Sequence, residues 1–346
     1  MVKAENSRGG KTVTISPPPR LRGEITPPGD KSISHRSTML NAMANGVARI
    51  TNYSNGEDCA STVTILRALG VRVDIDDHLP GDAKSLTVYG VGMNGFSEPG
   101  DILDAGNSGT TTRLMSGILA GRDMLAVLTG DSSIRGRPMG RVIDPLRQMG
   151  ANISARDDNR LAPIVFDGGD IGGIEHVQSV ASAQVKSCLL FAGLRARDVT
   201  TVRSPTASRD HSERMLSAMG AQPNTTENGA VVSITASELS AVNVDVPGDI
   251  SSAAFWMVAA AAHPDAEIRV RNVGLNPTRT GILTVLKDMN ADITVENERL
   301  VAGEPAGDLV VRSSNLTATR IEGDTIPLVI DELPVIAVAA ALASGK

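Results

Sequence analysis

One segment places basic and hydroxyl side chains at the predicted start of a helix. In PGDKSISHRS, residues 28–37, Lys31 and Ser32 occupy the first turn and Arg36 lies one turn further. Free N–H groups and the positive end of the helix dipole bind phosphate or carboxylate groups at such a position. Lys31 adds a point charge, and the Arg36 guanidinium offers bidentate contact. The segment therefore predicts an anion site, and a capped helix with solvated basic residues fits it equally well.

Two further segments could also face an anion. DAGNSGTTTRL, residues 104–114, carries side-chain and main-chain donors at Asn107, Ser108, Gly109, Thr110 and Thr111. Gly109 would let an anion approach the backbone, although an ordinary turn with a Thr cap explains this segment better when it is taken alone. GDSSIRGRPMGR, residues 130–141, carries three arginines that would repel one another unless an anion joins them: Arg135, Arg137 and Arg141. A solvated loop is the default interpretation there.

Hydroxyl, amide and basic residues recur at two later helix starts. In SAQVKS, Ser182 and Gln184 precede an apolar helix predicted over 188–194. In SRDHSER, Ser208 and Arg209 stand just before the predicted helix. Both segments repeat the combination of donors and a helix N-terminus that suits an anion.

Two kinds of acid–base candidate occur. His211, which also lies in SRDHSER beside acidic neighbours, is expected to form local hydrogen bonds rather than to act in catalysis. Asp331 and Glu332 stand at the head of an apolar helix in VIDELPVIAVAAA, residues 329–341. They could simply cap that helix, or a partly desolvated carboxylate there could serve as a general base beside an anion. Nothing local decides between these interpretations.

The elements that position these segments repeat along the chain. Four stretches have the form of a last helical turn, a cap and a strand: LRALGVRV, LRQMGANI, LSAMGAQP and LKDMNADI. Their cap positions, where Gly or Asn best tolerates a left-handed conformation, are Gly70, Gly150, Gly220 and Asn290. A second repeat joins an apolar helix to a β-rich run, over 39–53, 114–130, 189–204 and 257–274. The spacing suits βαβ-rich subunits rather than a solenoid.

The same repeats predict the domain organisation. A fifth apolar helix, 336–346, is not followed by the strand and second helix of the earlier copies, so we expect an incomplete last subunit, with a natural C-terminal helix as the alternative. PPGDKSIS and VPGDISSA resemble each other and predict paired crossovers between two lobes. One lobe would be residues 30–247, and the other would combine 1–29 with 248–346.

Composition limits the possible functions. The 346 residues carry 33 Lys and Arg against 39 Asp and Glu, a net charge of −6, which argues against general binding to nucleic acids or anionic membranes. Four Phe, two Tyr and one Trp argue against base-stacking platforms. Cys59 and Cys188 can form neither a structural zinc site nor a disulfide framework. The polar N-terminal segment and the short apolar runs predict no secretory signal and no membrane span, so we expect a soluble cytoplasmic protein.

Taken together, the motifs resemble the 5-enolpyruvylshikimate-3-phosphate (EPSP) synthase family. From about Pro17 to Lys346 the matching segments are PGDKSISHR, GNSGTTTRL, RGRPMGR, ASAQVKS, SRDHSER, VPGDISSAAF, NPTRTG and IDELP. The resemblance implies an α/β (α+β) architecture, the two-lobed enolpyruvyl transferase fold or inside-out α/β barrel, built from repeated βαβαββ subunits. It implies transfer of the enolpyruvyl group of phosphoenolpyruvate to the 5-hydroxyl of shikimate 3-phosphate, with release of phosphate, by addition and elimination. It implies no metal or organic cofactor, and a monomer when the protein is complete.

The resemblance also implies roles for individual residues. The catalytic set would be Lys31, which contacts both substrates and assists proton transfer, Asp331 as general base, and Glu332 as support for that helix start. The residues that would bind shikimate 3-phosphate are Lys31, Ser32, Arg36, Ser182, Gln184, Ser208, Arg209 and Asp331. Those that would bind phosphoenolpyruvate are Lys31, Asn107, Gly109, Thr110, Arg137 and Gln184.

The resemblance also leaves alternatives open. The family continues with Lys-Glu-Ser/Thr-Asp-Arg and Asp-His-Arg segments that supply charge around phosphoenolpyruvate, so the 346-residue chain alone is expected to be inactive or nearly so. One alternative is an enolpyruvyl transferase that acts on a nucleotide sugar, although the cysteine-bearing loop and Lys-Asn motif of that family are not evident. Another is a non-catalytic remnant that binds shikimate 3-phosphate weakly through residues 30–247.

Overall fold

Two compact units make up the chain in the computed structural model, which describes residues 2–7, 10–15, 18–77, 84–323 and 325–345, with side chains from residue 18 onward. The smaller unit comprises Met1–Pro27, Ile250–Glu298 and Gly307–Lys346. The larger unit comprises Pro28–Asp249 and Arg299–Ala306. The ends of the predicted second lobe, residues 1 and 346, lie outside the described residues, as does Pro17, where the motif resemblance begins.

Strands and helices alternate along the chain. The strands are β1 (Val2–Ser7), β2 (Gly10–Ile15), β3 (Leu21–Ile25), β4 (Asn45–Tyr53), β5 (Arg72–Asp76), β6 (Lys84–Val91), β7 (Leu103–Asp104), β8 (Leu125–Thr129), β9 (Ile153–Ala155), β10 (Leu161–Asp167), β11 (Glu175–Val177), β12 (Thr200–Arg203), β13 (Asn224–Thr226), β14 (Val231–Ile234), β15 (Val244–Asp245), β16 (Ala266–Gly274), β17 (Asp292–Val301) and β18 (Glu304–Arg312). The helices are α1 (Lys31–Met43), α2 (Glu57–Ala68), α3 (Gly109–Leu119), α4 (Ser132–Gly136), α5 (Gly140–Gln148), α6 (Arg156–Asn159), α7 (Ala183–Gly193), α8 (His211–Ala218), α9 (Ile250–Ala262), α10 (Gly281–Asp288), α11 (Thr325–Val329) and α12 (Leu333–Leu342).

Two four-stranded sheets of the larger unit share one topology. Their strand orders are β7-β8-β10-β9 and β11-β12-β14-β13. In each, the first two strands are parallel, and the chain passes between them through α3 or α7. The last two strands form an antiparallel pair. Because parallel neighbours require such a crossover, each sheet with its helices is a βαβαββ subunit.

The other two four-stranded sheets take their first strand from a distant part of the chain. β15 pairs in parallel with β4, where Val244 faces Ile50, and β3 pairs in parallel with β16. The two Pro-Gly-Asp segments follow β3 and β15, and they meet at an antiparallel bridge between Gly29 and Gly248. A Cβ on Gly29 would lie 1.8 Å from the carbonyl oxygen of Asn52, so only glycine fits at this bridge.

Both predicted repeats are confirmed. Every predicted cap has a positive φ: Gly70 (86°), Gly150 (107°), Gly220 (98°) and Asn290 (69°). A strand follows each cap, and β4, β8, β12 and β16 follow the apolar helices of the second repeat. One boundary is wrong, because the helix predicted over 188–194 begins at Ala183. Ser182 caps it, so Gln184 lies inside its first turn.

Three crossover helices fill the interior of the larger unit. α7 is mostly apolar, α3 is apolar mainly in its second half, and the two helices pack against each other. α1 is buried from Ile33 to Met43 and yet is polar, with buried side chains at Ser34, His35, Arg36, Ser37, Thr38 and Asn41. Because buried polar groups require hydrogen-bond partners, α1 depends on polar partners from the elements around it. In the smaller unit, α9 and α10 contribute to a separate core with β16 and α12.

The close contact between α3 and α7 predicts that one added methyl group at their interface strongly destabilises the protein. A Cβ on Gly117 would lie 2.0 Å from the Cys188 carbonyl oxygen in the backbone of α7. We expect Gly117→Ala to lower the free energy of unfolding by about 1–3 kcal/mol or more, because backbone cannot move aside as a flexible side chain can. Urea denaturation measures this. Gly100→Ala, whose Cβ would meet nothing within 4 Å, should not lower it, and equal stability of the two variants would contradict the prediction.

Candidate active site

Four helix N-termini of the larger unit carry most of the predicted binding residues. α1, α3, α7 and α8 begin after the residues Asp30, Ser108, Ser182 and Asp210, respectively. The side chains of Asp30, Ser108 and Ser182 accept a backbone N–H of the first turn, which fixes where each of those helices starts. Other first-turn N–H groups have no partner within their own helix, so such ends suit anionic ligands.

Arg36 links three of these helices. Its Nε donates to Ser212 Oγ on α8 at 2.8 Å, and its Nη2 donates to Ser187 Oγ on α7 at 2.9 Å. Its Nη1 donates to the carbonyl of Ser32 at 3.0 Å. These contacts use three of the five N–H donors of a guanidinium. Burial lowers the pKa of Arg36 to about 10, and the Glu213 carboxylate opposes that shift.

Gln184 joins α7 to α3. Its Oε1 accepts a hydrogen bond from Arg113 Nη1 at 2.7 Å, and its Nε2 donates to Thr110 Oγ1 at 3.0 Å. The structure therefore brings two predicted residues, Gln184 and Thr110, into direct contact. Arg113 was not predicted. The sequence did contain a signal for it, since Arg113 follows Gly109 by one helical turn in the same segment.

Positive charge gathers around Gly109. A Cβ there would lie 2.9 Å from Arg113 Nη1 and 3.0 Å from Arg137 Nη1. Burial, together with the charges of Arg141 and Arg137, lowers the pKa of Arg113 to about 10. Arg137 also donates to Asn107 Oδ1 at 2.9 Å. An anion beside Gly109 would relieve this repulsion and is the ligand that the arrangement favours.

Local contacts hold the rest of the arginine segment. Asn107 Nδ2 donates to Asp131 Oδ2 at 2.6 Å. Asp131 accepts the Ile134 N–H at the start of α4, and these two hydrogen bonds hold its pKa below the usual range. Arg135 donates to the carbonyl of Gly130 in its own turn, so its guanidinium is directed toward that turn. Of the three arginines in the segment, Arg137 is the one that the structure places directly beside Gly109.

Ser182 is held by Gln178. The Ser182 N–H donates to Gln178 Oε1 at 2.9 Å, and Gln178 Nε2 donates to the Ser182 carbonyl at 3.2 Å. Ser204 Oγ also donates to Gln178 Oε1 at 3.1 Å. Gln178 is buried, so this clamp is shielded from water. No sequence pattern points to Gln178, which lies outside every motif.

The remaining predicted residues of the larger unit lie at the same helix starts. Lys31 is half-exposed and its Nζ lies 3.2 Å from Asp58 Oδ2. The charge of Arg209 lowers the pKa of Arg36, which indicates that the two guanidiniums are close enough to interact. Ser208 Oγ is buried, and it has no hydrogen-bond partner among the described residues. A ligand bonded to that hydroxyl would therefore require it to rotate outward.

The two predicted carboxylates belong to the smaller unit. Asp331 is exposed in the turn before α12, and its role as a general base stays a prediction. Glu332 is buried and occupies the N-cap position of α12, as the capping interpretation predicts, but its side chain forms no capping bond. Its carboxylate instead accepts a hydrogen bond from Ser251 Oγ, which accepts one from Arg279 Nη2 at 2.7 Å. Ser251 and Arg279 were not predicted, because each lies far from Glu332 in sequence.

Possible metal ligands and the two cysteines were located in the parts of the chain that the structure describes. No three His, Cys, Asp or Glu side chains there could hold a metal ion. Cys59 and Cys188 are buried and free, and burial raises the pKa of the Cys59 thiol to about 12. Within the same ranges, every helix is too short or too polar to cross a bilayer.

Comparison with known proteins identifies the family. The model of the EPSP synthase family (3-phosphoshikimate 1-carboxyvinyltransferase) matches residues 15–346. The chain belongs to the EPSP synthase family. Among similar proteins named 3-phosphoshikimate 1-carboxyvinyltransferase, that of Pelobacter propionicus is 51% identical over 96% of this chain and 76% of its own length. That of Synechococcus sp. is 54% identical over 96% of this chain and 74% of its own length.

Solved structures confirm the predicted fold class. EPSP synthase from Acinetobacter baumannii superposes with a TM-score of 0.87 at 43% identity, over 94% of this chain and 72% of that protein. The chain therefore has the two-lobed enolpyruvyl transferase fold, an α/β architecture of βαβαββ subunits. The four four-stranded sheets described above are consistent with that fold.

One interpretation is corrected in this EPSP synthase chain. His211 was expected to bond with residues beside it in sequence. Its Nδ1 instead lies 2.8 Å from Glu304 Oε1, 93 residues away, and both side chains are buried. Only the fold brings these groups together, so local sequence could not indicate the partner.

A buried chain of hydrogen bonds connects α1 to the start of α3. His35 Nδ1, Thr62 Oγ1, Thr111 Oγ1 and Ser108 Oγ follow one another at 2.7 Å intervals. His35 is fully buried, which lowers its pKa from 6.5 to about 3, with smaller contributions from Arg36 and Lys31. The imidazole is therefore neutral at ordinary pH, and its two nitrogens can serve as one donor and one acceptor.

This lowered pKa predicts a pH-dependent stability. Below pH 6.5 His35 is protonated in the unfolded chain, whereas in the folded chain it stays neutral down to about pH 3. The free energy of unfolding therefore decreases as pH falls through that window. At pH 5 the loss from this group is ~2 kcal/mol. His35→Gln should therefore lose about that much less stability than the wild type between pH 7.5 and pH 5, as measured by urea denaturation. His176→Gln, at a less buried imidazole, is the control, and an equal loss in wild type and His35→Gln would contradict the prediction.

Proposed function

We propose that the residues of the site described above serve the catalytic reaction of the family. The reaction is transfer of the enolpyruvyl group from phosphoenolpyruvate to the 5-hydroxyl of shikimate 3-phosphate, with release of phosphate. The observation that carries the proposal is the pair of hydrogen bonds from Gln184 to Arg113 and Thr110. They join the segment expected to bind one substrate to the segment expected to bind the other. The names of its relatives, which match over most of the chain, support the same reaction.

The shikimate 3-phosphate side would be formed by the starts of α1, α7 and α8. Ser182 and Arg209 would face the phosphate group, and Arg36 would use its remaining donors for the acceptor molecule. Ser32, Gln184, Ser208 and Lys31 would complete the set. The support for this assignment is that Arg36 already bonds to Ser187 and Ser212, so the three helix starts are fixed before a ligand arrives.

The phosphoenolpyruvate side would lie beside Gly109. Asn107, Gly109, Thr110, Arg137, Gln184 and Lys31 are the predicted residues, and Arg113 joins them on geometric grounds. The pKa of Arg113 is lowered by burial and by the arginines around it. A phosphate or carboxylate group would restore the charge balance, which is the physical reason to expect a dianion there.

Proton transfer would fall to Asp331 and Lys31. The Asp331 carboxylate would take the proton of the 5-hydroxyl as that oxygen attacks the substituted vinyl carbon, and Lys31 would assist proton transfer to the methylene carbon. Loss of phosphate and a proton from the tetrahedral adduct would then regenerate the double bond. Glu332, held by Ser251, would support the turn that carries Asp331. Placing two anions in register contributes up to roughly 7–11 kcal/mol to lowering the barrier.

Three further assignments stay predictions from the sequence. They are the role of residues 30–247 as a complete substrate-binding lobe, the cytoplasm as the location, and a monomeric state when the protein is complete.

The shikimate 3-phosphate assignment predicts that removing the charge of Arg209 weakens the binding of shikimate 3-phosphate selectively. Arg209→Gln should raise the dissociation constant for shikimate 3-phosphate about ten- to a hundredfold, the usual contribution of a charge-assisted hydrogen bond. Its effect on shikimate, which has no phosphate, should be much smaller. Isothermal titration calorimetry with both ligands measures the difference.

The matched control is Arg197→Gln, which removes the same charge from an exposed ion pair with Asp170. It should leave both affinities unchanged. Failure of the wild-type chain to bind shikimate 3-phosphate, or wild-type affinity in Arg209→Gln, would contradict the assignment.

The phosphoenolpyruvate assignment predicts a steric effect at Gly109. Gly109→Ala would bring a methyl group within 3.0 Å of the guanidiniums of Arg113 and Arg137, so both must shift. We expect a several-fold weaker affinity for phosphoenolpyruvate, titrated in the presence of shikimate 3-phosphate, and little change for shikimate 3-phosphate itself. Gly136→Ala is the control, since its Cβ would meet nothing within 4 Å. Unchanged phosphoenolpyruvate affinity in Gly109→Ala would show that the anion binds elsewhere.

A further inference from the structure

A buried ion pair connects the two helix starts expected to bind shikimate 3-phosphate. Lys186 lies in the first turns of α7 and Glu213 in the first turn of α8. Their side chains are only 1% and 8% exposed, and Nζ and Oε1 are 2.5 Å apart. Lys186 Nζ also donates to the carbonyl of Ser208 at 3.3 Å.

We propose that Lys186 is a positioning residue for shikimate 3-phosphate, acting through the segment Ser208–Asp210. The proposal rests on the proposed function. An ammonium group that is almost wholly excluded from water and already paired with Glu213 does not reach a ligand. It can, however, fix the position of the Ser208 carbonyl by donating a hydrogen bond to it. The adjacent Arg209 is then fixed relative to Ser182, which lies four residues before Lys186 at the start of α7.

Stability alone does not explain this ion pair. Buried ion pairs often contribute nothing net, because removing both charges from water costs as much as their attraction returns. The second oxygen of Glu213, Oε2, is buried and has no hydrogen-bond partner among the described residues. Such an oxygen carries a desolvation cost of its own. Apolar side chains could hold α7 against α8 without that cost, but they could not bond to the Ser208 carbonyl.

The surroundings of the pair also point to ligand binding. The charge of Glu213 raises the pKa of Arg36 against the effect of burial, while that of Arg209 lowers it. Lys186 and Glu213 therefore lie among the groups expected to bind the acceptor substrate. Since the pair has no net charge, removing both partners leaves the net charge beneath the site unchanged. A loss of affinity in such a variant would then report geometry rather than net charge.

The test compares a single and a double variant of the full chain. Lys186→Met leaves Glu213 buried and unpaired, so its melting temperature should fall, whereas Lys186→Met/Glu213→Leu should recover most of that loss. Both should bind shikimate 3-phosphate at least tenfold more weakly in calorimetry, because both lack the bond to the Ser208 carbonyl. Both should also show faster amide hydrogen exchange over residues 208–210. Ile153→Ala, a core variant on β9, should melt earlier with unchanged affinity.

Each outcome bears on the proposal. Wild-type affinity and wild-type exchange in the double variant would overturn it, as would an equal loss of affinity in Ile153→Ala, which would reveal a general effect of destabilisation. If the wild-type chain binds no shikimate 3-phosphate, the proposed function fails by itself. Hydrogen exchange then still decides whether Lys186 fixes the segment: faster exchange over 208–210 supports positioning, and unchanged exchange overturns it.

Discussion

Burial of the polar helix α1 is the constraint on which the larger unit depends. A buried polar group without a partner costs about 1–3 kcal/mol, and α1 buries polar side chains over more than two turns. Ser37 and Thr38 bond to the Ser34 carbonyl within α1. His35 and Arg36 instead bond to neighbouring helices, His35 to Thr62 of α2 and Arg36 to Ser187 of α7 and Ser212 of α8. Because Ser187 and Ser212 lie in or near the first turns of α7 and α8, bonding Arg36 also fixes the helix starts that we propose to bind shikimate 3-phosphate.

The charges of the site are arranged in two groups with different physical consequences. Lys186 and Glu213 balance each other inside the unit, so they support geometry without creating a field. The arginines around Gly109 instead oppose one another, and the lowered pKa of Arg113 records part of that repulsion. An enzyme that must bind two anions benefits from this division, since the unbalanced group is stabilised only when a ligand is present. The pre-organised cations then require little rearrangement during the reaction.

Much of the fold could be predicted from sequence because the relevant signals are local. Left-handed caps need Gly or Asn, so Gly70, Gly150 and Asn290 marked the helix ends correctly. Capping residues and motifs also indicated most of the helix starts, although the start of α7 was predicted five residues too late. The partners within the site could not be predicted, because they are distant in sequence: Arg36 and Ser212 are 176 residues apart, and Arg113 and Gln184 are 71 apart. Gln178 carries no motif at all, and only the fold shows that it clamps Ser182.

The surroundings of α1 are completed by contacts between residues that lie far apart in sequence. The sheet beside α1 includes β15 as its first strand. Asn41 of α1 also forms two hydrogen bonds with the backbone of Val242: its Nδ2 donates to the carbonyl at 3.2 Å, and its Oδ1 accepts from the N–H at 2.9 Å. These contacts span about 200 residues of chain, so they close one of the longest loops in the larger unit, and long-range contacts of this kind form slowly. The bridge between Gly29 and Gly248 closes the same loop. The helix that carries Lys31 and Arg36 therefore reaches its final surroundings only after the chain beyond residue 240 has joined the unit, so the proposed substrate site depends on the whole unit rather than on its motifs alone.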